Sequence, residues 1–173
     1  APNKACYIPL AHKNIKGLKK EIVLKKIKPI LEDPSIKKVG QNIKFDFIVL
    51  KQNNIEINPI EDTMLISYAL DAGNNRHNLD TLSEIHLNHK TISYKELVGT
   101  GKNKLNFSEI PIDKATEYAA EDADVTLRLY NYLKARLDKE KLNKIYEAFE
   151  KPMVKLLSKL EFNGIKVDDV YLK

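Results

Sequence analysis

The chain has 173 residues, enough for one domain with a sizeable core, and its 43% hydrophobic and 31% charged residues have the balance of a globular protein. No apolar run approaches the length of a membrane span, no basic stretch followed by an apolar one opens the chain as a signal peptide would, and the single cysteine, Cys6, excludes an internal disulfide; a cytoplasmic location fits. The net charge of +5 favours polyanionic partners, but apart from Arg76, Arg128 and Arg136 the positive charge is lysine, and the richness in Lys, Ile and Asn reads as an AT-rich coding sequence more than as a DNA-binding surface.

In chain order, the segment up to Leu10 reads as a strand, with Pro9 at its end or on an edge. Leu18, Ile22, Val23, Ile27, Ile30 and Leu31 recur at helical spacing, and Pro34 stops that helix. Ile36 to Val39 is a short strand. Asn42 is placed to cap the next helix, which is expected to bury Phe45, Ile48 and Val49 before Asn53-Asn54 breaks it. Ile55 to Ile57 reads as another short strand. Asp62 or Thr63 caps a helix carrying Met64, Leu65, Tyr68 and Ala69, and a loop around Gly73 separates it from a helix marked by Leu79, Leu82, Ile85 and His86. Gly99 to Asn106 reads as a mobile loop. A long helix is expected from about Asp113 to Leu137, and a last one from Leu142 to Leu160, with Pro152 starting a new helix or kinking it and Asn163-Gly164 ending it. Helix dominates, and about three short strands are too little sheet for an α/β layer fold on their own.

Two motifs carry chemistry. Tyr118-Ala-Ala-Glu-Asp122 lies inside the long helix, so a phenol and a carboxylate share one helix face at i and i+4. A carboxylate holds a hard cation through oxygen, and a phenol one turn away can hydrogen-bond water at that cation, which is equipment for metal-assisted phosphodiester hydrolysis. Alone, such a pair is more often a solvated acidic patch. Upstream, Asn42-Ile-Lys-Phe-Asp46 repeats the arrangement, with Asp46 one turn beyond Asn42 on the same face.

Together these motifs resemble the second and third exonuclease motifs of the 3′→5′ proofreading exonuclease domain of bacterial DNA polymerase I, a family A polymerase, in the RNase H-like DEDD class with tyrosine in its third motif. Glu61 to Leu65, Arg76 to Leu82 and Gly101 to Leu105 also match in order and spacing, and Leu160 to Asp168 resembles the passage into the polymerase thumb, so the resemblance covers essentially the whole chain. It implies a helix-rich α/β RNase H-like fold. Residues 1–160 would be an N-terminally incomplete exonuclease domain and residues 161–173 the start of the passage to the thumb.

The family's first motif, an Asp-x-Glu on an early strand, has no counterpart, since the first acidic residue is Glu21. By the resemblance the sequence opens about two strands late, with two of four metal-binding carboxylates. The resemblance further implies two divalent ions, Mg²⁺ with Mn²⁺ or Zn²⁺ as alternatives, held in part by Asp46 and Asp122. Tyr118 would be the third catalytic residue, orienting the attacking water, because a phenol with a reference pKa of about 10 is a poor base at neutral pH. Asn42, Phe45, Arg76 and Tyr94 correspond to positions that contact the single-stranded 3′ end of DNA, although core packing competes for both rings and does so about evenly for Phe45. The implied function is proofreading release of nucleoside 5′-monophosphates by a monomer that carries a polymerase domain in the same polypeptide. The competing reading is a non-catalytic DNA-binding or scaffolding module beside a polymerase. Glu121 and Asp124 read as solvated or structural, and the His86/His89 spacing as chance rather than a metal site.

Overall fold

The computed structural model describes residues 2–13, 15–168, 170 and 171. Its elements in order are α1 (Lys20–Glu32), β1 (Lys38–Gly40), α2 (Ile43–Gln52), β2 (Ile60–Asp62), α3 (Thr63–Asp71), α4 (Leu79–Leu87), α5 (Tyr94–Val98), α6 (Ile112–Lys139), the single turn α7 (Asn143–Ile145) and α8 (Lys151–Asn163). Among the described residues the sheet has two strands. β1 runs parallel to β2, with Val39 opposite Glu61 and Gly40 opposite Asp62.

The spine is α6. Its Val125, Leu129, Leu133 and Leu137 repeat every four residues, form one stripe and are wholly buried against Ile66 of α3, Leu82 of α4 and Tyr146. A second cluster joins Ile43 of α2, Ile55, Ile57 and Ile60 to Val154 of α8, so α8 closes the far side of the sheet. A third, smaller cluster sets Val98, Ile110 and Ala115 under Tyr7 and Phe107.

Several expectations need correction. Among the described residues, the segment 2–10 forms no strand. It is held by side chains, with the Tyr7 hydroxyl 3.1 Å from His12 Nδ1, His12 Nε2 3.2 Å from the Ile110 carbonyl, and Tyr7 packed edge-on to Phe107. The strand expected at Ile36–Val39 lies at Lys38–Gly40, and Ile55 and Ile57 are buried without joining a ladder, because β1 pairs with residues 60–62 instead. Phe45 is 67% exposed and Val49 41%, so α2 does not bury them; it turns Ile43, Phe47 and Leu50 inward. The helix expected from Leu142 to Leu160 is interrupted by a π turn at Tyr146–Glu150, directly before Pro152 in the first turn of α8, where the N–H that proline lacks would have bonded back along the helix. The capping expectation also changes. Asn42 adopts the left-handed conformation (φ 55°, ψ 48°) and its side chain caps nothing, whereas Asp62 does cap α3 through Met64 N.

Candidate active site

Asp46 and Asp122 line one cleft of about 450 Å³. The end of β1, through Gly40 and the following Gln41, forms its floor, and α2 and α6 face each other across it. Gly40 permits this junction. A Cβ there would stand 2.8 Å from Ile43 Cγ1 and 2.9 Å from Ile43 Cβ, so a side chain would push the start of α2 away from the strand.

The two carboxylates share an electrostatic predicament. Burial pushes the Asp122 carboxyl up to about 6, with the charges of Glu121 and Asp80 adding to it and the Tyr118 hydroxyl pulling the other way. Asp46 also lies above the ordinary carboxylate range because surrounding protein desolvates it. Its surface nevertheless stays open to solvent and to the cleft. Among the described residues no Lys or Arg holds either group down. Paired hard oxygen donors without an ion-pair partner fit a divalent ion, which would favour the anionic form of both. They supply part of a cage only, since no three His, Cys, Asp or Glu side chains gather as a cation site among the described residues.

Tyr118 stands one turn from Asp122 on α6. Burial first, then the Asp122 charge, raises its phenol, which therefore keeps its proton across the neutral range. Its ring belongs to an aromatic group that includes Tyr94, 5.9 Å away, and Phe107, 6.0 Å away, and Tyr94 stacks on Phe107 with centroids 6.4 Å apart. Tyr94 remains 42% exposed at the start of α5, with Lys104 Nζ 5.9 Å from its ring centre. The fold thus brings Asp46, Asp122, Tyr118 and Tyr94 into one region. Phe45 and Asn42 are exposed along α2 beside Asp46. Arg76 is exposed in the loop before α4, next to His77, whose carbonyl accepts a 2.7 Å bond from Gln41 Nε2 at the cleft.

Three further residues shape this region. Glu121 ties the loop before α5 to α6, its oxygens accepting from Ile92 N (2.7 Å) and meeting His89 Nε2 (2.8 Å). Asp80 accepts from Thr91 Oγ1 at 2.6 Å, and its charge reaches both Tyr118 and Asp122. Phe107 completes the aromatic group. Of the three, Glu121 reads in sequence as solvated or structural, and the structural reading is the one its bonds to Ile92 and His89 match, while Phe107 is not singled out there. His86 turns away from His89 and stacks on Tyr132, so the two do not form a metal pair.

Residues 1–138 match the family described as 3′-5′ exonuclease. The chain is 46% identical to DNA polymerase I of Rhizobium leguminosarum over 95% of its length, and 41% identical to DNA polymerase I of Pseudomonas aeruginosa, also over 95%. It spans 17% and 19% of those two proteins. The solved structure of Brucella melitensis NrnC superposes with a TM-score of 0.66 at 22% identity, over 92% of this chain and 72% of that one, and shares its RNase H-like fold. The fold implies divalent metal ions, and no helix among the described residues is long and apolar enough to cross a membrane. On this evidence the chain belongs to the 3′-5′ exonuclease family, as the exonuclease domain of the DNA polymerase I type.

Proposed function

We propose that the cleft between α2 and α6 is where this domain hydrolyses the 3′-terminal phosphodiester of single-stranded DNA, releasing nucleoside 5′-monophosphates, as the proofreading part of a DNA polymerase. The observation that carries this reading is the meeting of Asp46 and Asp122 in one cleft beside Tyr118. Bound divalent ions would supply charge stabilisation at the scissile phosphate and lower the pKa of the attacking water.

The chain's own residues do the rest. Asp46 and Asp122 hold the ions, Mg²⁺ first and Mn²⁺ or Zn²⁺ as alternatives, through carboxylate oxygen. Tyr118, which keeps its proton, orients the water and does not deprotonate it. Tyr94 and the exposed Phe45 offer ring faces to the last bases, Arg76 pairs with phosphate, and Asn42 contributes an exposed amide. Stacking and phosphate contacts are sequence-tolerant, as removal of any mispaired nucleotide requires.

Two carboxylates are a poor cage for two ions, so the remaining ligands are proposed to come from an Asp-x-Glu segment preceding Ala1. Residues 1–160 then form the exonuclease unit and residues 161–173 lead towards a polymerase domain in the same polypeptide, acting as a monomer in the cytoplasm.

The test compares residues 1–173 with the longer natural protein that this reading proposes, on 3′-labelled single-stranded DNA. With Mg²⁺ the longer protein releases nucleoside 5′-monophosphates, chelation stops it, and residues 1–173 alone are nearly inactive. Robust turnover by residues 1–173 would show that the ligand set has been misplaced.

A further inference from the structure

We propose that Asp62 is a positioning residue for this site, its carboxylate fixing the start of α2 and thereby the place of Asp46. The inference rests on the function proposed above. Asp62 is 2% exposed and does not line the cleft that Asp46 and Asp122 share, so it does not belong to the reacting group of residues. Its Oδ1 accepts from Asn42 N at 3.0 Å and Met64 N at 2.9 Å, and its Oδ2 accepts from Ile43 N at 2.9 Å. One side chain therefore caps two helices, its own α3 and, twenty residues back, α2.

The first N–H groups of a helix have no partner within it. At α2 the ordinary supplier would be the side chain of Asn42, which makes no such bond. Asp62 replaces it, and its bond to Asn42 N also steadies that residue in the left-handed conformation. Thr63 reinforces the junction, its single hydroxyl proton shared between the Gly40 carbonyl (3.1 Å) and Gln41 Oε1 (2.5 Å). Asp62 is held in turn, because its own N–H donates to the hydroxyl of the wholly buried Tyr146 at 3.0 Å. Asp46 lies in the first turn of α2, so any slip at Asn42–Ile43 moves its carboxylate.

The test uses Asp62→Asn in the longer natural protein. The substitution keeps the shape and one acceptor but turns an N–H₂ group towards Ile43 N–H. The control is Asp71→Asn, which breaks the 2.8 Å pair with Arg136, a residue farther along α6 than Asp122 that does not line the cleft. For Asp62→Asn we expect faster amide exchange at Asn42 and Ile43, a fall in kcat of about tenfold or more, and a rise of several-fold in the Mg²⁺ concentration for half-maximal rate, the range typical of residues that support metal ligands. For Asp71→Asn we expect a lower melting temperature with kcat and Mg²⁺ requirement within about twofold of wild type.

The inference is overturned if Asp62→Asn leaves kcat and the Mg²⁺ requirement unchanged, or if Asp71→Asn reproduces the same losses. If Asp62→Asn does not fold, Tyr146→Phe decides. A fall in kcat and faster exchange at Asn42 and Ile43 support the inference, and no change in either overturns it. Asp46→Ala separates the two levels. If that variant keeps full activity, the proposed function fails; if it is inactive while Asp62→Asn is normal, only the positioning role fails.

Discussion

Asp46 of α2 and Asp122 of α6 come from opposite halves of the chain and line the same cleft, and among the described residues neither forms an ion pair with a basic side chain. The relationship has a cost that can be measured. With its folded pKa raised to about 6, Asp122 binds its proton more tightly in the folded chain than in the unfolded one. The stability this group contributes is therefore present at low pH and is lost as pH rises from the ordinary carboxylate range through about 6. In metal-free protein, Asp122→Asn should raise the melting temperature at pH 8 and leave it nearly unchanged at pH 4. Mg²⁺ or Mn²⁺ should raise the melting temperature of the wild type at pH 8 and act less on the variant. Thermal unfolding at the two pH values, with and without metal, reads all of this.

Tyr94 and Arg76 are exposed, and the proposed function has them contact the DNA strand. Tyr94→Ala and Arg76→Ala should weaken binding of single-stranded oligonucleotides of any sequence, the former by about 1–3 kcal/mol, the usual worth of a base stacked on an aromatic ring. Fluorescence anisotropy at two salt concentrations should also show a shallower salt dependence for Arg76→Ala, since a phosphate contact is lost. Equal affinity of variants and wild type would remove both residues from the DNA site.

Glu121 acts at one remove. Its carboxylate fastens Ile92 N and His89, and so sets the loop from which Tyr94 projects. Glu121→Ala should raise KM for single-stranded DNA more than it lowers kcat, and by less than Tyr94→Ala does. Steady-state kinetics of the longer protein separates the two parameters.

The junction of β1 and α2 leaves no space for a methyl group at Gly40. Gly40→Ala should destabilise the fold by about 1–3 kcal/mol, as overpacking in a well-filled region does. Urea denaturation should show a lower midpoint with an unchanged slope.

How much was legible in sequence follows from what each feature depends on. The four-residue stripe Val125, Leu129, Leu133, Leu137 announces a buried helix by itself, and α6 falls within two residues of its expected bounds. Tyr118 and Asp122 were legible as a same-face pair for the same reason. The strands were less so. Three-residue strands leave almost no alternation to read, and which isoleucines join the ladder is decided by pairing across the sheet, so Ile55 and Ile57 are buried outside it while Ile60 lies within. The exposure of Phe45 could not be read either, because an aromatic serves equally well against the core or towards a ligand. Asp62 read as a cap for its own helix. Its second role at α2 depends on the parallel pairing of Gly40 with Asp62, which a linear pattern does not display.

The central claim is that Asp46 and Asp122 act together as metal ligands for exonuclease chemistry. The most direct measurement is release of nucleoside 5′-monophosphate from 3′-labelled single-stranded DNA with Mg²⁺ by the longer natural protein, its Asp46→Ala and Asp122→Ala variants and the double variant. The account predicts that each single variant loses nearly all activity, that the double variant is no worse, and that all three still bind the strand. Either single variant retaining wild-type turnover would contradict it.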